Sequence, residues 1–235
     1  MSAPQTRPRF KVWDLPVRLF HWSLVATVAG AFLTGEEDAP LSSWHHVLGW
    51  VAAVLIAFRL VWGLVGGEHA RFANFLRPAA LSRHVTDLLA GRRPKTVGHN
   101  PLGGLAILAL IALTIGAVLS GVGANEDLHE GVVWTLLALI GLHVAAVVAM
   151  SLASRENLVR AMVTGTKSAG VHPEAAYARR AAPWALPMAM ALAACAAWGA
   201  QQIDPGAFTP GPVGGTERSG DQDRRSTERG EVEDD

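Results

Sequence analysis

The sequence predicts an all-α integral membrane protein with five transmembrane helices. Three observations carry that expectation. Half of the 235 residues are hydrophobic while the formal net charge is zero, the apolar residues gather into five long runs, and the connections between those runs are basic and acidic in alternation. A hydrocarbon core about 30 Å thick takes a helix of about 20 mostly apolar residues to cross it, and each run is close to that length.

Taken in order, the spans are expected at about residues 17–34, 47–65, 102–122, 132–152 and 181–200. The first has a basic flank in Arg7, Arg9, Lys11 and Arg18, as a signal peptide would, but it is long and has no A-x-A cleavage site before Glu36, so it reads as a retained span. The third follows GHNPLGG, a helix start with Asn100 as N-cap and Pro101 at the first helical position. Lys and Arg occupy the N-terminus, the second connection (Arg71, Arg77, Arg83, Arg92, Arg93, Lys95) and the fourth. The other two connections carry Glu36, Glu37 and Asp38, then Glu126, Asp127 and Glu130, with no basic residue. The positive-inside rule therefore puts the N-terminus in the cytoplasm and both acidic loops outside, and five spans put the C-terminus outside as well.

Three segments complete the organisation. Residues 1–165 form the main transmembrane domain, residues 166–200 a cytoplasmic connector with the fifth span, and residues 201–235 a tail so rich in Pro, Gly and charge that disorder is expected. The stretch from Gly66 to Asn100 is cytoplasmic, with an amphipathic segment in LSRHVTDLLAG suited to the membrane surface. No internal repeat and no soluble catalytic domain are visible. The neutral balance argues against a nucleic-acid partner. The single cysteine, Cys195, excludes an internal disulfide framework, a thiolate-held iron–sulfur cluster and the C-x-x-C-H attachment of c-type haem.

Histidines carry the chemistry. His129 and His143 are fourteen residues apart in HEGVVWTLLALIGLH, a spacing that returns a helix nearly to its starting face and separates the rings by about 21 Å along the axis. With the topology assigned, His45 and His129 both open their spans from the outer side, and His21 and His143 both lie near the cytoplasmic side. Ionisable side chains within a membrane are costly and mostly functional. One imidazole from each of two facing helices can clamp an iron from both sides, and the flat apolar disc of a porphyrin suits the gap between spans. The expectation is a four-helix transmembrane haem-binding bundle with two stacked b haems, plus the fifth helix. The metal ligands are His21, His45, His129 and His143.

Gly49, four residues after His45, would leave room for a ring on the same face. Arg59, fourteen after His45, and Arg18, one turn from His21, are two candidates to pair with the propionates of the inner haem. A lone histidine near a helix end is more often an interfacial or hydrogen-bonded side chain than a ligand, and it is the pairing by depth that argues otherwise. His46 competes with His45, since neighbours on a helix point about 100° apart; Gly49 favours His45. His99 stands open to a quinone or proton role, while His69, His84 and His172 read as solvated. The eight tryptophans sit toward the span ends, as an aromatic belt would.

The stretches VWDLPVRLFHW, HHVLGWVAAVLIAFRLVWG, ARF, GHNPLGG and HEGVVWTLLALIGLH resemble the bacterial cytochrome b561 family, which includes the b-type cytochrome subunits of nickel–iron hydrogenases. The resemblance covers about residues 10–165. It implies two b haems on four helices, with ligands at the positions of His21, His45, His129 and His143, in a multi-pass protein of the bacterial inner membrane. It also implies electron transfer between the membrane quinone pool and a periplasmic partner, a c-type cytochrome or an oxidoreductase subunit. Such a protein is an electron carrier or a quinone-linked oxidoreductase subunit of a respiratory chain rather than a stand-alone catalyst. A homodimer is compatible with the sequence.

Two other functions compete. One is a membrane anchor that wires a hydrogenase-like oxidoreductase complex. The other is a histidine-bearing proton or metal transporter, a class that often shows broken helices and midplane carboxylates; none of the five expected spans contains an acidic residue.

Overall fold

The computed structural model describes residues 9–36, 38–39, 41–74, 82–83, 86–87, 90, 101–169 and 178–211. Four helices are long and apolar enough to cross a membrane: α1 (Leu15–Leu33), α2 (Ser43–Val65), α3 (Pro101–Val122) and α4 (Glu126–Ser154). A short α5 (Leu158–Thr164) follows, and α6 (Ala185–Ile203) closes the described helices. Their ends follow local chemistry. Asp14 caps α1 by accepting the Val17 N–H at 2.9 Å, with Pro16 in the first turn, and Asn125 caps α4 by accepting the Leu128 N–H, with Glu126 and Asp127 set favourably against the helix dipole.

Helix α2 is the hub. It packs on α1, on α3 and on α6, while α3 and α4 form a second hairpin. Phe20, Ile56 and Ile111 make the core where α1, α2 and α3 meet. Most large apolar side chains on the outer faces are exposed, Leu64 at 71% and Leu152 at 75%, which a lipid environment covers at no cost. Helix α4 is the least enclosed of the four, with Leu136 alone buried, against seven residues of α2.

The segment expected as a fifth span is a helix, but the structure corrects the count to four membrane-spanning candidates. Trp198, Gly199, Gln201 and Gln202 dilute the C-terminal part of α6, and the rest is mostly alanine, which packs closely but contributes little hydropathy. Ala185, Ala189, Ala193 and Ala200 are buried. Ala185 and Ala189 sit beside Trp62 and Ala200 beside Trp50, so α6 runs antiparallel along α2. The expectation of disorder from Gln201 onward also needs correction. Helix α6 continues to Ile203, and the turn after it folds onto α2 with Ala207 fully buried and Phe208 packed beside it. Residues 212–235 lie outside the described residues.

A small β element joins the helices at the end expected to be cytoplasmic. Strand β1 (Arg9–Lys11) pairs antiparallel with β2 (Thr166–Ser168), burying Phe10, Val12 and Trp13. Gly165, at φ +77°, makes the turn between α5 and β2 and offers its carbonyl to the Val12 and Trp13 N–H groups. An added Cβ there would lie 2.8 Å from the Trp13 carbonyl oxygen, so the position takes only glycine.

Candidate functional site

The outer pair is brought together edge-on. The His45 and His129 ring centroids are 6.0 Å apart with their planes nearly perpendicular, at 84°. Each ring is oriented by the backbone of the preceding helix. His45 Nδ1 lies 2.8 Å from the Ala31 carbonyl oxygen, and His129 Nδ1 lies 2.9 Å from that of Ala117 and 3.2 Å from Ser120 Oγ. A carbonyl oxygen only accepts, so each Nδ1 carries the proton and each Nε2 is left with its lone pair free. Two such nitrogens suit one metal ion: a metal–nitrogen bond of about 2 Å on each side, plus half of each ring, separates the centroids by about 6 Å. The carbonyl behind each ring is the outer partner that metal-bound histidines ordinarily keep.

Small residues admit these rings. An added Cβ at Gly121 would crowd His129 Nδ1 at 3.3 Å, whereas one at Gly35 would make only ordinary contact with His45 Cε1, at 3.6 Å. Nothing lies within 4 Å of a Cβ built on Gly49, which leaves open space on the face of α2 that carries His45.

The inner pair is juxtaposed more loosely. His21 on α1 and His143 on α4 are near enough to interact electrostatically. His21 also meets the Trp22 ring edge-on at 5.0 Å between centroids, and its Nδ1 is buried without a hydrogen-bond partner. The two candidate cations differ. Arg18 Nη2 donates to the Val163 carbonyl at the end of α5. Arg59 is 3% exposed, donates from Nη2 to the Ala70 carbonyl at 3.2 Å and leaves Nη1 unpartnered.

His46 turns away from the outer pair. Its Nε2 contacts the Asp204 carboxylate, which also accepts from Trp50 Nε1 at 2.9 Å. His69, expected to be solvated, is half-buried, edge-on to Trp13 at 6.1 Å, and burial lowers its affinity for a proton. Cys195 is exposed on α6. His84, His99, Asn100 and His172, with most of the amphipathic stretch, lie outside the described residues. Among the described residues no group of three or more His, Cys, Asp or Glu side chains gathers as a metal cluster.

The sequence reading missed the groups that hold the rings: the Ala31 and Ala117 carbonyls, Ser120, Gly35 and Gly121. A signal for one was present, since Ser120-Gly121 is a polar and a vanishing side chain together at the end of an otherwise apolar run. Backbone carbonyls have no such signature.

A helical membrane protein that brings two imidazoles together between spanning helices, each with Nδ1 committed to a carbonyl, has a donor set suited to haem iron. The comparisons agree. The family model of the prokaryotic cytochrome b561 matches residues 12–165, and the chain belongs to that family. It is similar to a probable Ni/Fe-hydrogenase B-type cytochrome subunit of Azotobacter vinelandii, 26% identical over 66% of this chain and 86% of the relative. The subunit of the same description from Bradyrhizobium diazoefficiens is 22% identical over 68% and 87%, and that from Rhodobacter capsulatus 24% over 72% and 85%. No solved structure matches significantly. The chain is thus a multi-pass membrane cytochrome of the b type, and its work is electron transfer.

Proposed function

We propose that the chain carries electrons across the bacterial inner membrane through two b haems, one held by His45 and His129 near the outer surface and one by His21 and His143 near the cytoplasm. The observation that supports this most strongly is the outer pair, with ring centroids 6.0 Å apart and both Nδ1 atoms committed to carbonyls. A bound haem would supply a one-electron iron couple, with the imidazoles of each pair as its protein ligands. The protein's part is to fix and insulate. The Ala31 and Ala117 carbonyls set the tautomer and orientation of the rings. Gly121 lets a helix end approach the His129 ring, and the apolar faces of α1, α2 and α4 exclude water.

In this reading residues 1–165 are the di-haem domain, residues 166–200 a connector and helix, and residues 201–235 a tail. The N-terminus is cytoplasmic, by the basic connections. Helix α6 runs along α2 toward Trp50 and ends beside His46, at the end of α2 that carries the outer pair. Electrons pass between the quinone pool and a periplasmic redox partner, a c-type cytochrome or an oxidoreductase subunit. The relatives' descriptions as hydrogenase cytochrome subunits favour a second form of the same reading, a membrane anchor for a hydrogenase-like complex.

Single alanine variants test the pairing. His45→Ala and His129→Ala should lose the same haem, and His21→Ala and His143→Ala the other. His143→Ala should also weaken retention of the outer haem, because α4 contributes to both. Loss of one haem by His45→Ala and of the other by His129→Ala would refute it.

A further inference from the structure

We propose that Arg59, and not Arg18, is the cation that pairs with a propionate of the inner haem and raises that haem's reduction potential, and that the Gly66–Asn74 segment positions it. The inference rests on the two-haem reading and adds a residue-level assignment to it. Arg59 follows His45 by fourteen residues, on the α2 face that also carries Gly49, Ala52, Ile56 and Gly63. Its guanidinium carbon is 6.0 Å from the ring of Phe20, the neighbour of His21, so it stands at the level of the inner pair.

The charge is buried yet incompletely matched. Arg59 is 3% exposed, and among the described residues no carboxylate lies within ion-pair distance. Its one hydrogen bond goes to Ala70, and Nη1 has no partner. Asp14 attracts the charge from beyond ion-pair distance, and a buried guanidinium so incompletely matched is costly, which favours a negative group at Nη1. Arg18 is placed otherwise. Its Nε is also buried without a partner, but the residue as a whole is only half-buried and its terminal nitrogen is taken by the Val163 carbonyl, a natural seat for a cation at a helix C-terminus.

The segment after α2 holds the guanidinium still. The Phe72 ring lies 4.6 Å from the guanidinium carbon, close enough for a cation–π contact. The ring fits only because residue 63 is glycine, since an added Cβ would lie 2.1 Å from Phe72 Cε2. With the Ala70 carbonyl on Nη2, both contacts come from the same segment. A positive charge near the haem favours the reduced iron, because reduction removes one positive charge from the site.

A spectroelectrochemical titration of the full-length protein with both haems tests this. R59Q should move one of the two steps to lower potential, changing its oxidised-to-reduced ratio at fixed poise by about tenfold, or ~59 mV for a one-electron couple, and leave the other step in place. R59K should recover most of the shift. G63A keeps the arginine but displaces Phe72, and should move the same step in the same direction by less. R18Q should leave both steps unchanged. Unmoved steps in R59Q, or a shift in R18Q instead, would overturn the assignment. If R59Q does not accumulate, unmoved steps in G63A would do the same. A wild-type protein without two haems would instead overturn the reading beneath it.

Discussion

Asp14 ties together the parts that carry the inner histidine, and its removal has a calculable cost. Its Oδ1 accepts the Val17 N–H as the cap of α1 at 2.9 Å, and its carboxylate accepts the Trp62 indole N–H at 3.1 Å and the Gly67 N–H at 3.3 Å. Trp62 is 3% exposed, so its N–H has no water to turn to. In Asp14→Ala the lost cap costs about 1 kcal/mol, and each orphaned buried donor costs about 1–3 kcal/mol. Partial relaxation brings the total to roughly 2–4 kcal/mol. Asp14→Asn keeps a capping oxygen but turns an NH2 group toward the donors of Trp62 and Gly67, and should lose about half of that. Denaturant unfolding of the detergent-solubilised protein measures the loss, and haem retention on heating should fall at the inner site before the outer one. An Asp14→Ala protein within about 0.5 kcal/mol of wild type, a typical effect for a featureless surface site, would refute the claim that this carboxylate joins α1 to α2.

Two further changes probe the flanks. Lys167 and Glu156 form a buried pair 3.6 Å apart, in which burial lowers the lysine's proton affinity and Glu156 opposes that shift. Glu156→Ala should therefore cost about 3–5 kcal/mol by stranding the ammonium, while Lys167→Met with Glu156→Leu should come closer to wild type; a double variant as unstable as the single one in denaturant unfolding contradicts this. At the end of α6, burial pushes the Asp204 carboxyl up, but hydrogen bonds from Trp50, the Gly206 N–H and His46 more than offset this and leave it below the ordinary carboxylate range. A carboxylate lowered in the folded state stabilises above its unfolded pKa, and that contribution disappears as pH falls through the folded one. Hydrogen-exchange protection factors in residues 204–209, which remove the intrinsic pH dependence, should accordingly fall on acidification, and already at neutral pH in Asp204→Asn; protection insensitive to both would exclude the contact.

Much of the architecture was readable before any coordinates. The four spanning helices announce themselves through apolar length, and the fourteen-residue spacing of His129 and His143 is a property of helix geometry alone. Choosing His45 over His46 followed from the face that Gly49 shares with His45, and in the structure His46 turns to Asp204 instead. What stayed hidden depends on long-range contact. Strands of three residues separated by most of the chain, Arg9–Lys11 and Thr166–Ser168, have no local signature. Arg18 and Arg59 are alike by position, and only tertiary packing separates them: Arg59 is buried under Phe72 with the Ala70 carbonyl, while Arg18 reaches the Val163 carbonyl. The alanine-rich α6 resembles a span in a hydrophobic count, but its small side chains serve close packing on α2.

The central claim is that four imidazoles hold two irons, and the direct measurement is a reduced-minus-oxidised visible spectrum of the purified protein joined to a haem-to-protein ratio. The account predicts two low-spin b haems per chain, each lost with its own histidine pair. A colourless protein, or one haem per chain with all four histidines intact, would contradict it.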